Sequence, residues 1–397
     1  MSPKHIAPHR RTRSLISRRA TNISPSGIRK FFDLLSTMED VISLGVGEPD
    51  FATPWHISEA GIYGIDKGYT MYTSNRGLIE LRQELSRNLK SRYGLDYDPG
   101  HELLITVGVS EALDIAMRAI LDPGDEVISP EPTYVSYNSC TILAEGVFVP
   151  VPTTADNAFK VKAADIEKRI TEQTKAILLG YPNNPTGAVM DRASLLEIAG
   201  VAQKHDLLVI SDEIYDRLVY GVEHTCFAAL PGMKERTILL AGFSKAYAMT
   251  GWRIGYAAAS LEIIEAMTKI HQYTILCAPI MAQMAAVEAL KSGDKAASEM
   301  VADYDRRRRV MVKGLNDIGL ACFEPRGAFY AFPSIKVTGL SSEEFAEKLL
   351  MEEKVAVVPG SAFGECGEGH VRCCYATALT DIEEALTRMG RFVQKYR

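Results

Sequence analysis

Between about residues 100 and 260, apolar positions form short continuous runs separated by stretches with helical spacing. Runs that are apolar without alternation are expected for strands covered on both faces. Segments such as 111–121 and 193–205 have helical spacing instead. This alternation predicts an α/β fold, with a mostly parallel seven-stranded sheet and helices on both faces. The seven predicted strands are residues 103–108, 126–129, 147–151, 176–180, 207–211, 237–241 and 253–257.

The pattern changes after a long amphipathic stretch at residues 297–315. Shorter and more mixed elements follow it, which predicts a smaller α+β unit to which the N-terminal segment also contributes. The predicted elements of this part are strands at residues 327–333, 355–358 and 371–375 and helices at residues 342–352 and 381–395.

A chain of 397 residues exceeds what one hydrophobic core usually serves, so two domains are expected. We predict a large domain at residues 46–295 and a small C-terminal domain at residues 296–397. Residues 1–45 are predicted to form an N-terminal arm and part of the small domain. A cofactor fits the cleft between two such domains.

Composition narrows the function classes. Apolar residues make up 47% and charged residues 24%, and no apolar run approaches the roughly 20 residues of a membrane span. The net charge of −6 gives no reason to expect nucleic-acid binding. The seven cysteines are scattered and never form CxxC, which favours reduced thiols over disulfides or a metal site. We therefore expect a soluble, cytoplasmic protein without a metal.

The N-terminus is the one charge anomaly. It carries basic residues without any acidic residue, as an organelle transit peptide does, but a basic arm that packs on the domain or a partner is the favoured interpretation. There is no apolar segment of the kind that directs secretion. The basic residues are Lys4, Arg10, Arg11, Arg13, Arg18, Arg19, Arg29 and Lys30.

The most informative segment is residues 242–255, which places Lys245 among small residues directly after a predicted buried strand. A strand-end lysine that reaches water would also explain the position. However, a desolvated amine near a cation such as Arg253 has a lowered pKa, which suits a nucleophile that condenses with an aldehyde. Lys245 is therefore a candidate catalytic residue.

A second segment, residues 106–113, runs from a strand through Gly108 into a helix. Free N–H groups at the start of a helix bind anions. Ser110 on its own could be an ordinary helix cap.

Two further polar groups follow predicted strands. Asp212 ends an apolar strand and needs a cationic or donor partner, although it could also cap the next helix. Residues 181–187 are rich in turn formers and contain Asn184. Arg372 lies on a predicted strand, where an arginine that faces the surface would be ordinary.

Together these segments resemble the class I/II aminotransferases that depend on pyridoxal 5′-phosphate (PLP), which have fold type I and belong to the aspartate aminotransferase superfamily. The likeness spans about residues 20–395, with eight matching segments in the family order. It implies that Lys245 forms a Schiff base with PLP and acts as the catalytic base. It also implies PLP contacts from Gly108, Val109, Ser110, Tyr134, Asn184, Asp212, Tyr215, Ser244 and Arg253.

The resemblance also assigns a substrate side and a dimer. Gly47 and Asn184 would contact the substrate, and Arg372 would bind its α-carboxylate. Tyr72 would reach the phosphate bound by the neighbouring subunit, so the resemblance implies a homodimer with active sites at the subunit interface.

Within the superfamily, the likeness is strongest to archaeal-type aromatic aminotransferases, and it is carried by residues 28–30, 48–51, 304–308 and 357–364. Several aspartate enzymes of this subgroup have a lysine where this chain has Ser110. An aromatic or broad-specificity amino donor, with a 2-oxo acid such as 2-oxoglutarate as acceptor, is therefore expected. The resemblance implies that Tyr134 stacks on the pyridine ring of PLP. Many relatives carry tryptophan at this position, and a different ring changes the electronic properties of that stack.

Three alternatives stay open. Aspartate or alanine could be the donor, or the same site could serve a PLP-dependent β C–S lyase. A DNA-binding regulator is less favoured, because the roughly 40 residues before the first motif are too few for a helix-turn-helix module.

Overall fold

The computed structural model describes residues 15–23 and 38–397. Its strands fall into three sheets. In chain order they are β1 (Ile42–Ser43), β2 (Leu103–Thr106), β3 (Glu126–Glu131), β4 (Val147–Pro152), β5 (Thr174–Leu179), β6 (Leu208–Asp212), β7 (Thr237–Gly242), β8 (Gly255–Ala258), β9 (Tyr330–Ala331), β10 (Val355–Ala356), β11 (Val358–Pro359) and β12 (Val371–Cys374).

The helices are distributed along the whole described chain. In chain order they are α1 (Arg18–Asn22), α2 (Trp55–Asp66), α3 (Ile79–Tyr93), α4 (Gly108–Ile120), α5 (Ser136–Leu143), α6 (Ala163–Glu167), α7 (Arg192–Lys204), α8 (Leu261–Thr274), α9 (Ile280–Ser292), α10 (Asp294–Asp317), α11 (Ser342–Glu353) and α12 (Leu379–Tyr396).

The large sheet has seven strands in the order β2-β8-β7-β6-β5-β3-β4. Strand β8 runs antiparallel to both of its neighbours, and the other pairs are parallel. The predicted mostly parallel seven-stranded sheet is therefore confirmed. All seven predicted strands are present, with bounds that differ by a few residues.

Helices cover both faces of this sheet, which explains why its strands lack polar alternation. On β7, Ile238 and Leu240 pack with residues of α4 and α8, whereas Leu239 and Ala241 belong to a core on the opposite face. All four side chains are at most 4% exposed. Burial on both faces favours a continuous apolar run.

Two predicted strand ends were wrong for a local reason. The strand predicted at 103–108 ends at Thr106, because Gly108 already begins α4. The strand predicted at 253–257 begins only at Gly255, since Arg253 has a left-handed backbone with φ of 52°. Both ends border the cavity described below.

The C-terminal part contains smaller sheets. Strands β11, β12 and β9 form an antiparallel sheet, and β1 pairs in parallel with β10. The single strand predicted at 355–358 is thus two short strands that pair in different sheets. The strand predicted at 327–333 is shorter, since only Tyr330–Ala331 pairs with β12. The division into domains stays a prediction, although the pairing of β1 with β10 agrees with it.

The N-terminal basic arm is only partly described. Arg18 and Arg19 lie in α1, where Arg19 forms an exposed ion pair with Glu145. The other basic residues of the arm, and residues 28–30, lie outside the described residues. Within residues 15–23 and 38–397, no helix has the length and apolarity that a membrane span requires, and no cluster of His, Cys, Asp and Glu side chains is arranged to hold a metal ion.

Candidate active site

A cavity of about 830 Å³ lies at the carboxyl ends of the central strands. Asp212 ends β6, Lys245 follows β7 and Asn184 follows β5, so parallel strands bring the three side chains to one edge of the sheet. Arg372 on β12 lines the cavity from the smaller sheet. A cavity of this size, lined by apolar walls and a few polar groups, is typical of small-molecule sites.

Lys245 lines this cavity and its side chain is partly buried. The Nζ atom donates a hydrogen bond to the carbonyl oxygen of Gly47 over 2.6 Å. Burial lowers the pKa of Lys245 to about 8, and the positive charges of Arg372 and Arg253 act in the same direction. A larger fraction of this amine is therefore neutral at physiological pH than in an ordinary lysine, which favours nucleophilic attack.

Asp212 is a buried carboxylate with neutral partners. It accepts hydrogen bonds from the hydroxyl of Tyr137 over 2.9 Å and from the backbone N–H of Ile214 over 3.1 Å. Burial raises the pKa of Asp212 to about 6 against these two donors. Within the described part of the chain no ion pair compensates this charge, so the site suits a cationic or protonated ligand atom.

Next to these groups, the start of α4 forms an anion cradle. Gly108 has φ of 72°, and a Cβ there would lie 2.7 Å from Nη2 of Arg253, so the glycine lets the guanidinium come close. Val109, Ser110, Ser244 and Arg253 all line the cavity. Free backbone N–H groups, hydroxyls and a guanidinium together are the groups that bind phosphate.

Arg372 is only 3% exposed, and several contacts fix its guanidinium. Its Nη1 donates to Oδ1 of Asn184 over 2.9 Å, and its Nη2 donates to the carbonyl of Gly45 over 2.7 Å. The guanidinium lies 4.4 Å from the ring centre of Tyr330 and 4.9 Å from that of Phe363. Its Nε has no hydrogen-bond partner among the described residues. A fixed, incompletely satisfied arginine suits a carboxylate ligand.

The aromatic residues of the site form two pairs. The hydroxyls of Tyr215 and Tyr330 lie 2.8 Å apart. Tyr134 packs edge-on against Tyr137, with ring centres 5.7 Å apart. Since Tyr137 also donates to Asp212, these contacts connect the aromatic wall of the cavity with its buried carboxylate.

A family model for aminotransferases of class I and II matches residues 39–389. The chain belongs to the class I and II aminotransferases. It is 58% identical to a putative aminotransferase of Bacillus subtilis, YugH, over 96% of this chain and 99% of that one. It is 48% identical to an aspartate aminotransferase of Pyrococcus abyssi over 96% and 98% of the two chains.

A solved structure agrees with this assignment. The aromatic aminotransferase of Pyrococcus horikoshii superimposes with a TM-score of 0.88 at 46% identity, over 92% of this chain and 99% of that one. The fold is accordingly that of the fold type I aminotransferases, as the sequence predicted. Members of this family generally depend on PLP and act on amino acids and 2-oxo acids. The chain is thus an amino-acid aminotransferase.

Most of the residues predicted for this aminotransferase site line one cavity. Gly108 does not line the cavity itself, but its neighbour Val109 does. Tyr72 is the one predicted residue that lies away from the cavity. Tyr72 is 82% exposed and does not line the cavity of its own chain. The predicted residues that line the cavity are Gly47, Val109, Ser110, Tyr134, Asn184, Asp212, Tyr215, Ser244, Lys245, Arg253 and Arg372.

Sequence reasoning missed three residues that contact these groups. They are Tyr137, which donates to Asp212, and Tyr330 and Phe363, which stack on Arg372. Tyr137 lies three residues after Tyr134, but Tyr134 precedes α5, which begins at Ser136, so no helical pattern linked the two. Tyr330 and Phe363 meet Arg372 through tertiary packing, for which the sequence carried no local signal.

Proposed function

We propose that this aminotransferase binds PLP through the predicted residues and transfers the amino group of an aromatic or broad range of neutral amino acids to a 2-oxo acid such as 2-oxoglutarate. One observation carries the proposal. The Lys245 amine, whose pKa burial lowers, shares one cavity with an uncompensated carboxylate, Asp212, and a buried arginine, Arg372.

The residues present fit PLP at each of its polar groups. Asp212 lacks a cation, and a protonated pyridine nitrogen would supply one. Ser244, Arg253 and the start of α4 would hold the phosphate. Asn184 and Tyr215 would face the phenolic oxygen, and Tyr134 would stack on the ring.

When bound, PLP supplies an aldehyde that condenses with amines and a ring that withdraws electrons from the substrate Cα. Lys245 supplies the amine and then carries the proton that leaves and returns at that carbon. Asp212 would keep the ring nitrogen protonated, because the pair would neutralise two buried charges.

Arg372 orients the substrate. Its guanidinium is fixed by Asn184 and by the Gly45 carbonyl, so an α-carboxylate would meet a preorganised donor rather than a mobile one. The two aromatic rings beside it exclude water from the contact. This arrangement would hold the Cα proton within reach of Lys245.

The charges of the cavity support a neutral donor. Among the described lining residues, three are cationic, namely Lys245, Arg253 and Arg372, and each has a role above. None of them is left to bind a second carboxylate, so the distal carboxylate of 2-oxoglutarate, or of an acidic donor, would be held by neutral hydrogen-bond donors of this chain. Ser110 occupies the position at which several aspartate enzymes have lysine.

For the donor preference, we expect purified enzyme to form glutamate from 2-oxoglutarate with phenylalanine or tyrosine. Ser110→Lys should raise kcat/KM for aspartate relative to phenylalanine about tenfold, since one charge-assisted hydrogen bond contributes about 1.5 kcal/mol. Ser292→Lys, at the far end of α9, is the matched control and should leave the ratio unchanged.

Other outcomes would redirect or end the proposal. Glutamate formed only with aspartate or alanine would favour the aspartate or alanine alternative. Pyruvate and ammonia from cystathionine, without amino transfer, would favour the β C–S lyase. No amino transfer from any of the common amino acids would contradict the proposal.

We also propose a homodimer in which Tyr72 completes the partner's site. Aromatic and aliphatic side chains are exposed near α2 and the end of α8, which favours a protein contact. Tyr72 is in this region. The exposed side chains are Trp55 (69% exposed), Ile62 (51%), Tyr63 (52%), Met71 (78%), Tyr72 (82%) and Tyr273 (87%).

Subunit complementation tests this arrangement. Tyr72→Ala and Lys245→Ala should each be nearly inactive alone. Mixed and reassembled, they should recover about a quarter of wild-type activity, because half of the dimers are hybrids and each hybrid has one intact site. Mixing Lys245→Ala with Asp212→Ala is the control, since both residues belong to one chain's site. Equal recovery in both mixtures, or none in either, would contradict a role for Tyr72 across the interface.

We propose a division into a large domain at 46–295 and a small domain at 296–397.

We also place the enzyme in the cytoplasm. The seven cysteines are all free, as a reducing compartment favours. No nucleic-acid or membrane partner is proposed.

A further inference from the structure

Tyr330 lies where several groups of the site meet. Its hydroxyl is 2.8 Å from that of Tyr215, and its ring centre is 4.4 Å from the guanidinium carbon of Arg372. A Cβ on Gly47 would lie only 2.4 Å from its hydroxyl oxygen. The side chain is 1% exposed, so these contacts hold it in one position. Tyr330 therefore connects the carboxylate clamp with the phenol that would face the coenzyme.

The direction of the hydrogen bond between the two phenols decides what Tyr215 can do. A phenol has one proton to donate. If Tyr215 donates to Tyr330, it has no proton for a group in the cavity. If Tyr330 donates to Tyr215, the proton of Tyr215 is free to point into the cavity.

The charge of Arg372 favours the second direction. Burial raises the pKa of Tyr330, and Arg372 is the main group that opposes this rise. Burial also raises the pKa of Tyr215 well above its usual value, and there Arg372 opposes the rise only after Tyr330 has added to it. Of the two phenols, it is Tyr330 whose ring lies against the guanidinium, at 4.4 Å. A phenol with a cation at its ring donates better, because positive charge favours loss of its proton. The other titratable groups around the pair are Cys374 and Tyr134.

We propose that Tyr330 is a positioning residue that donates its hydrogen bond to Tyr215 and so directs the Tyr215 hydroxyl towards the phenolic oxygen of PLP. The inference rests on the proposed binding of PLP. It also makes Tyr330 a connection through which the charge at Arg372 affects the coenzyme, beside the hydrogen bond from Arg372 to Asn184.

The consequence is a change in the proton affinity of the bound coenzyme. A donor to the phenolic oxygen stabilises its anionic form and lowers the pH at which the coenzyme bound to Lys245 loses its proton. In Tyr330→Phe the ring remains under Arg372 but the donor to Tyr215 is lost. The pH midpoint of the absorption change should rise by about 0.5 to 1 unit, less than the loss of a direct charged hydrogen bond would give.

Spectrophotometric titration of the PLP-loaded enzymes tests this. Tyr330→Phe should titrate at the higher pH and Tyr220→Phe, the control, should titrate as wild type does. Tyr220 is also a buried tyrosine whose hydroxyl donates to a backbone carbonyl, that of Ala328, and it does not line the cavity. An unchanged midpoint in Tyr330→Phe would overturn the inference. A wild-type enzyme that shows no coenzyme absorption would instead overturn the proposed binding of PLP.

A second titration tests the connection to Arg372. A carboxylate without an amino group, 3-phenylpropionate, should neutralise Arg372 and raise the midpoint of the wild-type enzyme. In Tyr330→Phe this additional rise should be smaller, because only the contact through Asn184 remains. Equal rises in the two enzymes would show that the charge of Arg372 does not act through Tyr330.

Discussion

Lys245→Ala should lose amino transfer by a factor of about 10⁴ or more, because the change removes both the nucleophile and the proton carrier. The protein should still fold, since the side chain makes one hydrogen bond, to the Gly47 carbonyl. It should still bind PLP through Asp212 and Arg253, but without the absorption of the lysine-linked coenzyme.

Two further measurements separate the roles of this lysine. A small amine such as ethylamine should restore part of the turnover if Lys245 moves a proton, because the amine can enter the space that the side chain leaves. Lys204→Ala, an exposed lysine of α7 paired with Glu167, is the control and should behave as wild type. Full turnover in Lys245→Ala would mean that another amine carries the reaction.

Asp212→Asn should stabilise the coenzyme-free protein at pH 8 while it lowers turnover. Burial raises the pKa of Asp212 to about 6, above its value of 3.8 in an unfolded chain. The folded chain therefore binds this proton more tightly than the unfolded chain, and it loses stability as the pH rises from about 4 to 6. Asparagine carries no charge, so the variant should gain about 3 kcal/mol at pH 8 and only about 0.5 kcal/mol at pH 4.

Turnover should change in the opposite direction. Breaking a buried ion pair costs about 3–5 kcal/mol, which corresponds to a roughly 10²- to 10⁴-fold loss of rate. Denaturant unfolding of coenzyme-free protein at pH 4 and pH 8, with turnover measured alongside, checks both effects. Asp206→Asn, at an exposed carboxylate, should show neither. A variant less stable than wild type at pH 8 would show that Asp212 is compensated in the coenzyme-free chain.

Most of the candidate site residues could be expected to lie together because they stand at the ends of parallel strands. Lys245, Asp212 and Asn184 each follow an apolar run, and a parallel sheet brings such positions to one edge. Gly108 marked the turn into α4 for a similar local reason. The large sheet could be predicted because helices cover both of its faces.

The remaining features depend on contacts between distant segments. The pairing of β1 with β10, and the separation of β10 from β11, follow from the packing of very short strands without a periodic pattern of their own. Tyr330 reaches Tyr215 across 115 positions of sequence. Tyr72 is exposed in a single chain, and its role depends on a second copy.

The central claim is that the Lys245 amine condenses with the coenzyme aldehyde. Coenzyme-free protein is incubated with PLP between pH 6 and 10 and reduced with borohydride, and the modified peptide is identified by mass spectrometry. We expect the label on Lys245, with a rate of capture that rises with pH, is half-maximal near pH 8 and becomes constant above about pH 9, since the neutral amine reacts and its pKa is about 8. Label on a different lysine, or a colourless protein without label, would contradict the account.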